Sequence, residues 1–123
     1  MLFRSSLSGD QLRGLLEQQQ RPGHAEPRFL QPSAGLHYQW HASAPFGHRV
    51  QQLQLGGVAV QPQGRYRVTV NSFLADGGDG YTLLRGGRDR LTGPQDVDAL
   101  VQWLQQADTP LAPEPMPRIA WVD

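Results

Sequence analysis

The chain has 123 residues, with 11 basic and 11 acidic side chains and no cysteine. This length suits one small domain, whose core can be small and whose net free energy of unfolding is about 5–15 kcal/mol. The balanced charge argues against a duplex nucleic acid as partner, and the lack of cysteine excludes disulfides and thiolate metal sites. No apolar run approaches the ~20 residues needed to span a bilayer, so no membrane partner is predicted.

The first patterned segment is an extended stretch, residues 2–7, followed by a short helix. Ser8 is followed three residues later by Gln11, the spacing of a capping box, and Asp10 suits the positive end of the helix dipole. The apolar face of this helix consists of Leu12, Leu15 and Leu16. Arg-Pro-Gly at residues 21–23 ends it. Because the chain enters its first strand without a preceding turn, we expect further sequence upstream.

Alternating apolar and polar residues then predict a series of strands. The first covers residues 36–41, where the apolar side chains fall on one face. Two successive glycines between residues 49–55 and residues 58–60 predict a hairpin. The clearest strand covers residues 65–71, which are rich in β-branched and aromatic side chains, and a short one is predicted at residues 81–84.

A second helix is predicted after a polar loop at residues 86–90. Thr92 or Gly93 can cap it, and Pro94 suits its first position. Its apolar residues recur with helical spacing at Val97, Leu100, Val101 and Leu104. A last strand is predicted at residues 118–122. Together these elements predict an α+β fold: a single domain with a mixed, largely antiparallel sheet and the two amphipathic helices packed against it.

Residues 71–81 form the candidate binding site. Three glycines in four positions allow the backbone to adopt positive φ and allow another molecule to approach closely. The aromatic face of Phe73 and the carboxylate of Asp79 suit a ligand with a flat ring and hydroxyl groups, such as a nucleoside or a sugar. The less favoured alternative on the pattern alone is that the glycines form only a tight turn in which Asp79 caps nearby amides.

Other kinds of site fit these residues less well. The acidic spacing in residues 76–80 does not match a calcium-binding EF-hand, and a P-loop requires Lys and Ser or Thr where this chain has Tyr81. His37 and His41 lie four residues apart on a predicted strand, so their rings are anchored roughly 13 Å apart, too far to share a zinc ion. The residues therefore predict no cofactor bound by this chain and no catalytic residue in it.

The stretch Asn-Ser-Phe-Leu-Ala-Asp-Gly-Gly-Asp-Gly-Tyr at residues 71–81 resembles the signature of the C-terminal domain of 5'-nucleotidases and UDP-sugar hydrolases. Residues 7–19 are similar to the family's helix that begins Thr-Gly-x-x-Leu. The resemblance continues through residues 29–36, 49–50, 66–68 and 118–119. It therefore covers nearly the whole chain.

The resemblance implies a division of labour between two domains. In this family a separate upstream metallophosphatase domain holds two divalent metal ions and performs the hydrolysis, while the C-terminal domain binds the nucleoside part of the substrate. Residues 1–123 would then be the substrate-binding domain, truncated at its N-terminus and without the catalytic domain, so this chain alone is expected to be inactive. The implied partners are a nucleoside or nucleotide and the upstream domain, and the implied location is periplasmic or extracellular.

The resemblance also implies roles for single residues. Phe73 would be one of two aromatic rings that sandwich the base, and Asp79 would accept hydrogen bonds from the ribose hydroxyls. The remaining substrate-binding residues would be Asn71, Gly77, Gly78 and Gly80. The family's second stacking Phe lies in a Pro-Phe-Gly-Asn-like segment upstream of the first helix, which this chain does not contain. Together with Gln31, residues 32–35 also form a segment one residue longer than the family's Gln-Val-Ser-Gly.

Two functions follow as hypotheses. The first is a nucleotide-binding specificity domain of a metal-dependent 5'-nucleotidase-type phosphohydrolase, acting in nucleotide catabolism. The second is a non-catalytic sugar-binding or protein-interaction module that retains the fold. A ligand that binds only the folded state raises its melting temperature, so a panel of nucleotides and glycans distinguishes the two hypotheses.

Overall fold

The computed structural model describes residues 2–23, 25–106 and 117–123. Its strands and α-helices are, in chain order, β1 (Leu2–Ser8), α1 (Gly9–Glu17), β2 (Leu36–His41), β3 (Val50–Leu55), β4 (Val58–Ala59), β5 (Arg65–Asn71), α2 (Ser72–Ala75), β6 (Arg88–Thr92), α3 (Asp96–Gln105) and β7 (Ile119–Val122). Two short 3₁₀ helices, Gly78–Gly80 and Thr82–Gly86, lie between α2 and β6. The predicted α+β class is confirmed.

The elements gather in two compact units, of which one contains residues 2–6 and 67–106 and the other residues 7–66 and 117–123 among those described. The strands form a three-stranded sheet in the order β5-β1-β6 and a four-stranded sheet in the order β4-β3-β2-β7. Pairing is antiparallel between β1 and β6, β2 and β3, and β3 and β4, and parallel between β2 and β7. The mixed, largely antiparallel pairing agrees with the prediction, whereas the division into two sheets was not foreseen. Alternation identifies a strand but does not identify its partner.

Helix α1 begins as the sequence predicts. The Ser8 hydroxyl accepts a hydrogen bond from the Gln11 amide at 3.1 Å, and the Gln11 side chain accepts one from the Ser8 amide at 2.8 Å. This reciprocal pair is a complete capping box. The predicted apolar face is buried at Leu12, Leu15 and Leu16.

Polar contacts attach α1 to the start of β3. The Arg13 guanidinium donates to the carbonyl of Val50 at 2.6 Å. The Glu17 carboxylate accepts from the amides of Arg49 and Val50, at 3.1 and 2.8 Å. One helix side chain therefore satisfies two neighbouring backbone donors, and this fixes how α1 packs on its sheet.

The core of the same unit is built around Trp40. Its side chain is fully buried at 0% exposure, as the alternation along β2 predicts. Phe29 packs edge-on against it with ring centroids 5.3 Å apart, and contacts Trp121 of β7 in the same way at 6.2 Å. Such edge-to-face pairs contribute about 0.5–1.5 kcal/mol each beyond the area that they bury.

Two predictions for the region after the glycines are wrong. The predicted strand at residues 81–84 is a 3₁₀ helix, which places Tyr81 and Leu84, three residues apart, both in buried positions. The predicted polar loop is largely β6, which pairs with β1 through Ser6 opposite Arg88. All five residues of β6 are exposed, as is common for an edge strand. Because only one of them, Leu91, is apolar, the sequence shows no apolar alternation by which the strand could be recognised.

Helix α3 also differs from its prediction. It starts at Asp96 with Gln95 as its N-cap, so neither Thr92 nor Gly93 caps it and Pro94 is not its first residue. Thr92 is instead paired with Phe3 in the sheet, and the Gly93 amide donates to the carbonyl of Leu2. Its apolar residues are exposed, so the packing predicted for this helix is not seen within the described part of the chain. None of the helices among residues 2–23, 25–106 and 117–123 has the length and apolar character needed to cross a membrane.

Candidate functional site

The candidate site begins where β5 ends. At Asn71 the chain leaves the strand, and the Asn71 side-chain oxygen accepts a hydrogen bond from the amide of Leu74 at 2.9 Å. This bond caps the four-residue helix α2. Asn71, predicted to bind substrate, therefore has a structural role at the base of the site: it orients the helix that carries Phe73.

The segment that follows α2, residues 76–81, is called the glycine loop below. Gly77 and Gly80 adopt φ of +90° and +83°, which a residue with a Cβ rarely adopts. Asp79 between them has φ of +54°, in the left-handed region where Asp is enriched among non-glycine residues. The predicted requirement for glycine is therefore confirmed at Gly77 and Gly80.

The third glycine, Gly78, is needed for a different reason. A Cβ built on Gly78 would lie 2.6 Å from both Cε1 and the carbonyl oxygen of Phe73. The Phe73 ring therefore lies directly against the Gly78 backbone. Phe73 is nevertheless 60% exposed, so much of its surface is accessible to another molecule.

Asp79 lies six positions after Phe73 along the same segment, and its side chain is exposed. No hydrogen bond or ion pair joins its carboxylate to another residue in the described part of the chain. The alternative in which Asp79 serves only to cap local amides is not what the structure shows. Its acceptor oxygens are therefore accessible to solvent.

Two arginines that the sequence did not single out contact the start of the loop. The Arg85 Nε donates to the carbonyl oxygen of Asp76 at 2.9 Å. The Arg90 guanidinium lies 3.6 Å from the Asp76 carboxylate and 5.3 Å from the centroid of the Phe3 ring. No local spacing in the sequence indicates these contacts, because they exist only once the chain has folded back through the 3₁₀ helix and β6.

The histidines and carboxylates give no metal centre in the described residues. No group of three or more His, Asp or Glu side chains among them could hold a metal ion. On β2, His41 Nε2 lies 2.9 Å from the side-chain oxygen of Gln39. The candidate site therefore consists of the exposed side chains of Phe73 and Asp79 and of a loop in which Gly77 and Gly80 have positive φ.

Comparison with known proteins places these features in a family. Residues 2–86 match the family model described as "5'-nucleotidase, C-terminal domain". This range includes the whole of residues 71–81, as well as β1 and α1. It covers more than half of the chain.

Two individual proteins are also similar in sequence to this chain. A "5'-nucleotidase-related protein" from Glossina morsitans morsitans is 32% identical over 130 aligned positions, covering 97% of this chain and 23% of that protein. An "Apyrase" from Anopheles gambiae is 38% identical over 66 positions, covering 50% of this chain and 12% of the relative.

A solved structure gives the same result for the fold. The crystal structure of a 5'-nucleotidase precursor from Thermus thermophilus superposes with a TM-score of 0.85 at 32% identity, covering 99% of this chain and 25% of that one. The present chain thus spans about a quarter or less of the length of these relatives.

Proposed function

This chain belongs to the family of 5'-nucleotidase C-terminal domains, and we propose that it binds the nucleoside part of a nucleotide through Phe73 and the glycine loop. The observation that carries this proposal is the pairing, on one short segment, of an exposed aromatic ring with an exposed carboxylate. An exposed Phe ring seated on a glycine is a stacking surface for a base. An exposed Asp carboxylate is an acceptor for sugar hydroxyls.

The chemistry matches a ribonucleoside. Stacking of a base on an aromatic side chain contributes about 1–3 kcal/mol and tolerates different bases, because every base has a π-face. The carboxylate of Asp79 can accept hydrogen bonds from both hydroxyls of the ribose diol, and such charge-assisted bonds are stronger than neutral ones. Phe73 therefore supplies affinity for the base, and Asp79 supplies preference for the ribose.

The activity of a whole protein that contains this domain is part of the same proposal. It would be a metal-dependent 5'-nucleotidase-type phosphohydrolase of nucleotide catabolism, whose two divalent metal ions and hydrolytic residues belong to an upstream metallophosphatase domain. This chain would supply nucleoside recognition and no hydrolysis. One structural relative is described as a precursor, which supports a periplasmic or extracellular location.

A thermal-shift experiment on the chain tests nucleoside binding. Adenosine, AMP and a panel of simple sugars are added to the wild type and to the variants Phe73→Ala and Asp79→Asn. At a ligand concentration five times Kd, a ligand of the folded state stabilises it by about 1 kcal/mol, which raises Tm by a few degrees for a chain of this size. We expect this rise for adenosine and AMP with the wild type, and a smaller rise with either variant.

Two matched variants serve as controls. Phe46→Ala removes another exposed Phe, whose ring stacks against the Arg49 guanidinium at 4.2 Å far along the chain from the loop. Asp98→Asn removes an equal charge from the exposed first turn of α3. Both should leave the adenosine shift unchanged. A shift with sugars alone would favour the alternative function, and a shift that all four variants retain would contradict the assignment of the site.

A further inference from the structure

Arg85 lies outside residues 71–81, yet its side chain returns to the start of the glycine loop. Its Nε–H donates to the main-chain carbonyl of Asp76 at 2.9 Å. A Cβ built on Gly77 would lie 2.5 Å from Arg85 Nε and 3.0 Å from both Cζ and Nη2. The guanidinium thus occupies the space that a side chain at position 77 would need.

The hydrogen bond between Arg85 and Asp76 closes a ring around residues whose backbone conformations are uncommon. Gly77 has φ of +90° and Asp79 has φ of +54°. A non-glycine residue keeps a left-handed conformation only where its surroundings hold it there. The hydrogen bond from Arg85 to Asp76 spans nine positions and closes a ring that contains the whole of this segment. The Arg90 guanidinium, 3.6 Å from the Asp76 carboxylate, holds the same residue from a second direction.

We propose that Arg85 is a positioning residue of the nucleoside site, which fixes the glycine loop in the conformation that presents Asp79 to the ribose. The inference rests on the proposed function. Arg85 acts mainly on the sugar end of the ligand, because Phe73 belongs to α2, and α2 is held by the Asn71 cap. The base end depends on the loop only through the contact between the Phe73 ring and Gly78. Loss of Arg85 therefore lowers the preference for ribose hydroxyls more than it weakens base stacking.

The test measures Kd for adenosine and for 2',3'-dideoxyadenosine, by NMR titration of the wild-type chain and of Arg85→Ala. Both ligands are uncharged, so long-range attraction between an arginine and a phosphate plays no part. For an exposed hydrogen bond we expect the ratio of Kd for 2',3'-dideoxyadenosine to Kd for adenosine to fall about fivefold in Arg85→Ala, with a smaller change in Kd for the dideoxynucleoside itself. Arg88→Ala removes the same charge from β6 and should keep the wild-type ratio.

Two further variants separate a positioning role from a general loss of structure. Arg85→Met keeps the length of the side chain and removes its donor, so it should reproduce the loss even if Arg85→Ala does not fold. Arg85→Lys can still donate to Asp76 and should restore part of the ratio. An unchanged ratio in Arg85→Met, or equal weakening of both ligands, would overturn the role of Arg85. If the wild type binds neither nucleoside, the proposed function itself fails, and the role of Arg85 fails with it.

Discussion

The substitution Gly78→Ala is the sharpest perturbation of the glycine loop that the structure offers. Gly78 is not among the glycines with positive φ, so alanine is compatible with its backbone conformation. The added Cβ, however, would lie 2.6 Å from Cε1 and from the carbonyl oxygen of Phe73, and 2.7 Å from Cδ1. The ring could rotate away, but the carbonyl belongs to the backbone of α2. The ring and the loop must therefore both move.

The cost has two parts. Forcing a methyl group into a filled space destabilises a fold by about 1–3 kcal/mol. Displacing Phe73 also removes base stacking, worth about 1–3 kcal/mol of binding, so Kd for adenosine should rise by about 5- to 150-fold. Gly35→Ala is the matched control. The nearest atom to its added Cβ, Cδ1 of Leu55, is at 3.6 Å, an ordinary contact. That variant should be neutral or more stable by up to about 1 kcal/mol.

Urea unfolding measures the first effect, and titration with adenosine measures the second. The double variant Phe73→Ala/Gly78→Ala shows whether the ring is the source of the clash. With the ring removed, Gly78→Ala should cost less stability than it does in the wild type. If Gly78→Ala bound adenosine as tightly as Gly35→Ala does and unfolded at the same urea concentration, the argument that Phe73 lies against Gly78 to form the stacking surface would be refuted.

Two further predictions concern the unit that contains α1. In Gly9→Ala the added Cβ would overlap the carbonyl oxygen of Gln61, so the free energy of unfolding should fall by about 3 kcal/mol. A Tm equal to that of the wild type would contradict this contact. Glu17→Ala leaves the amides of Arg49 and Val50 without their carboxylate acceptor and should cost about 1–3 kcal/mol in urea unfolding. Glu17→Gln keeps one acceptor oxygen and should lose less, and equal stability of all three proteins would show that the carboxylate does not hold β3.

Features that depend on neighbours in the chain could be predicted from the sequence. The capping box of α1 is formed by Ser8 and Gln11, three residues apart, and needs no tertiary contact. The hairpin between β3 and β4 follows from Gly56 and Gly57, whose φ values of +60° and +80° suit the turn. The positive φ of Gly77 is a requirement of the same local kind.

Features that depend on distant contacts could not be predicted. Strand β6 is exposed throughout and has Leu91 as its one apolar residue, so only its pairing with β1 makes it a strand. Arg85 reaches Asp76 because a 3₁₀ helix turns the chain back, and nothing in the local sequence indicates this path. Helix α2 is an intermediate case. Asn71 is a favoured N-cap residue and could have indicated it, but a helix of four residues carries no apolar periodicity to support that reading.

Titration of the ¹⁵N-labelled chain with adenosine, followed by ¹H–¹⁵N NMR, tests the central claim most directly. If Phe73 and Asp79 hold the base and the ribose, the amide signals of residues 71–81 should shift first and furthest, and the shifts should saturate at millimolar adenosine. The Phe73→Ala and Asp79→Asn variants should each weaken the same response. Saturating shifts confined to residues outside this segment, or no shifts at all, would contradict the claim that the glycine loop of this 5'-nucleotidase C-terminal domain binds nucleosides.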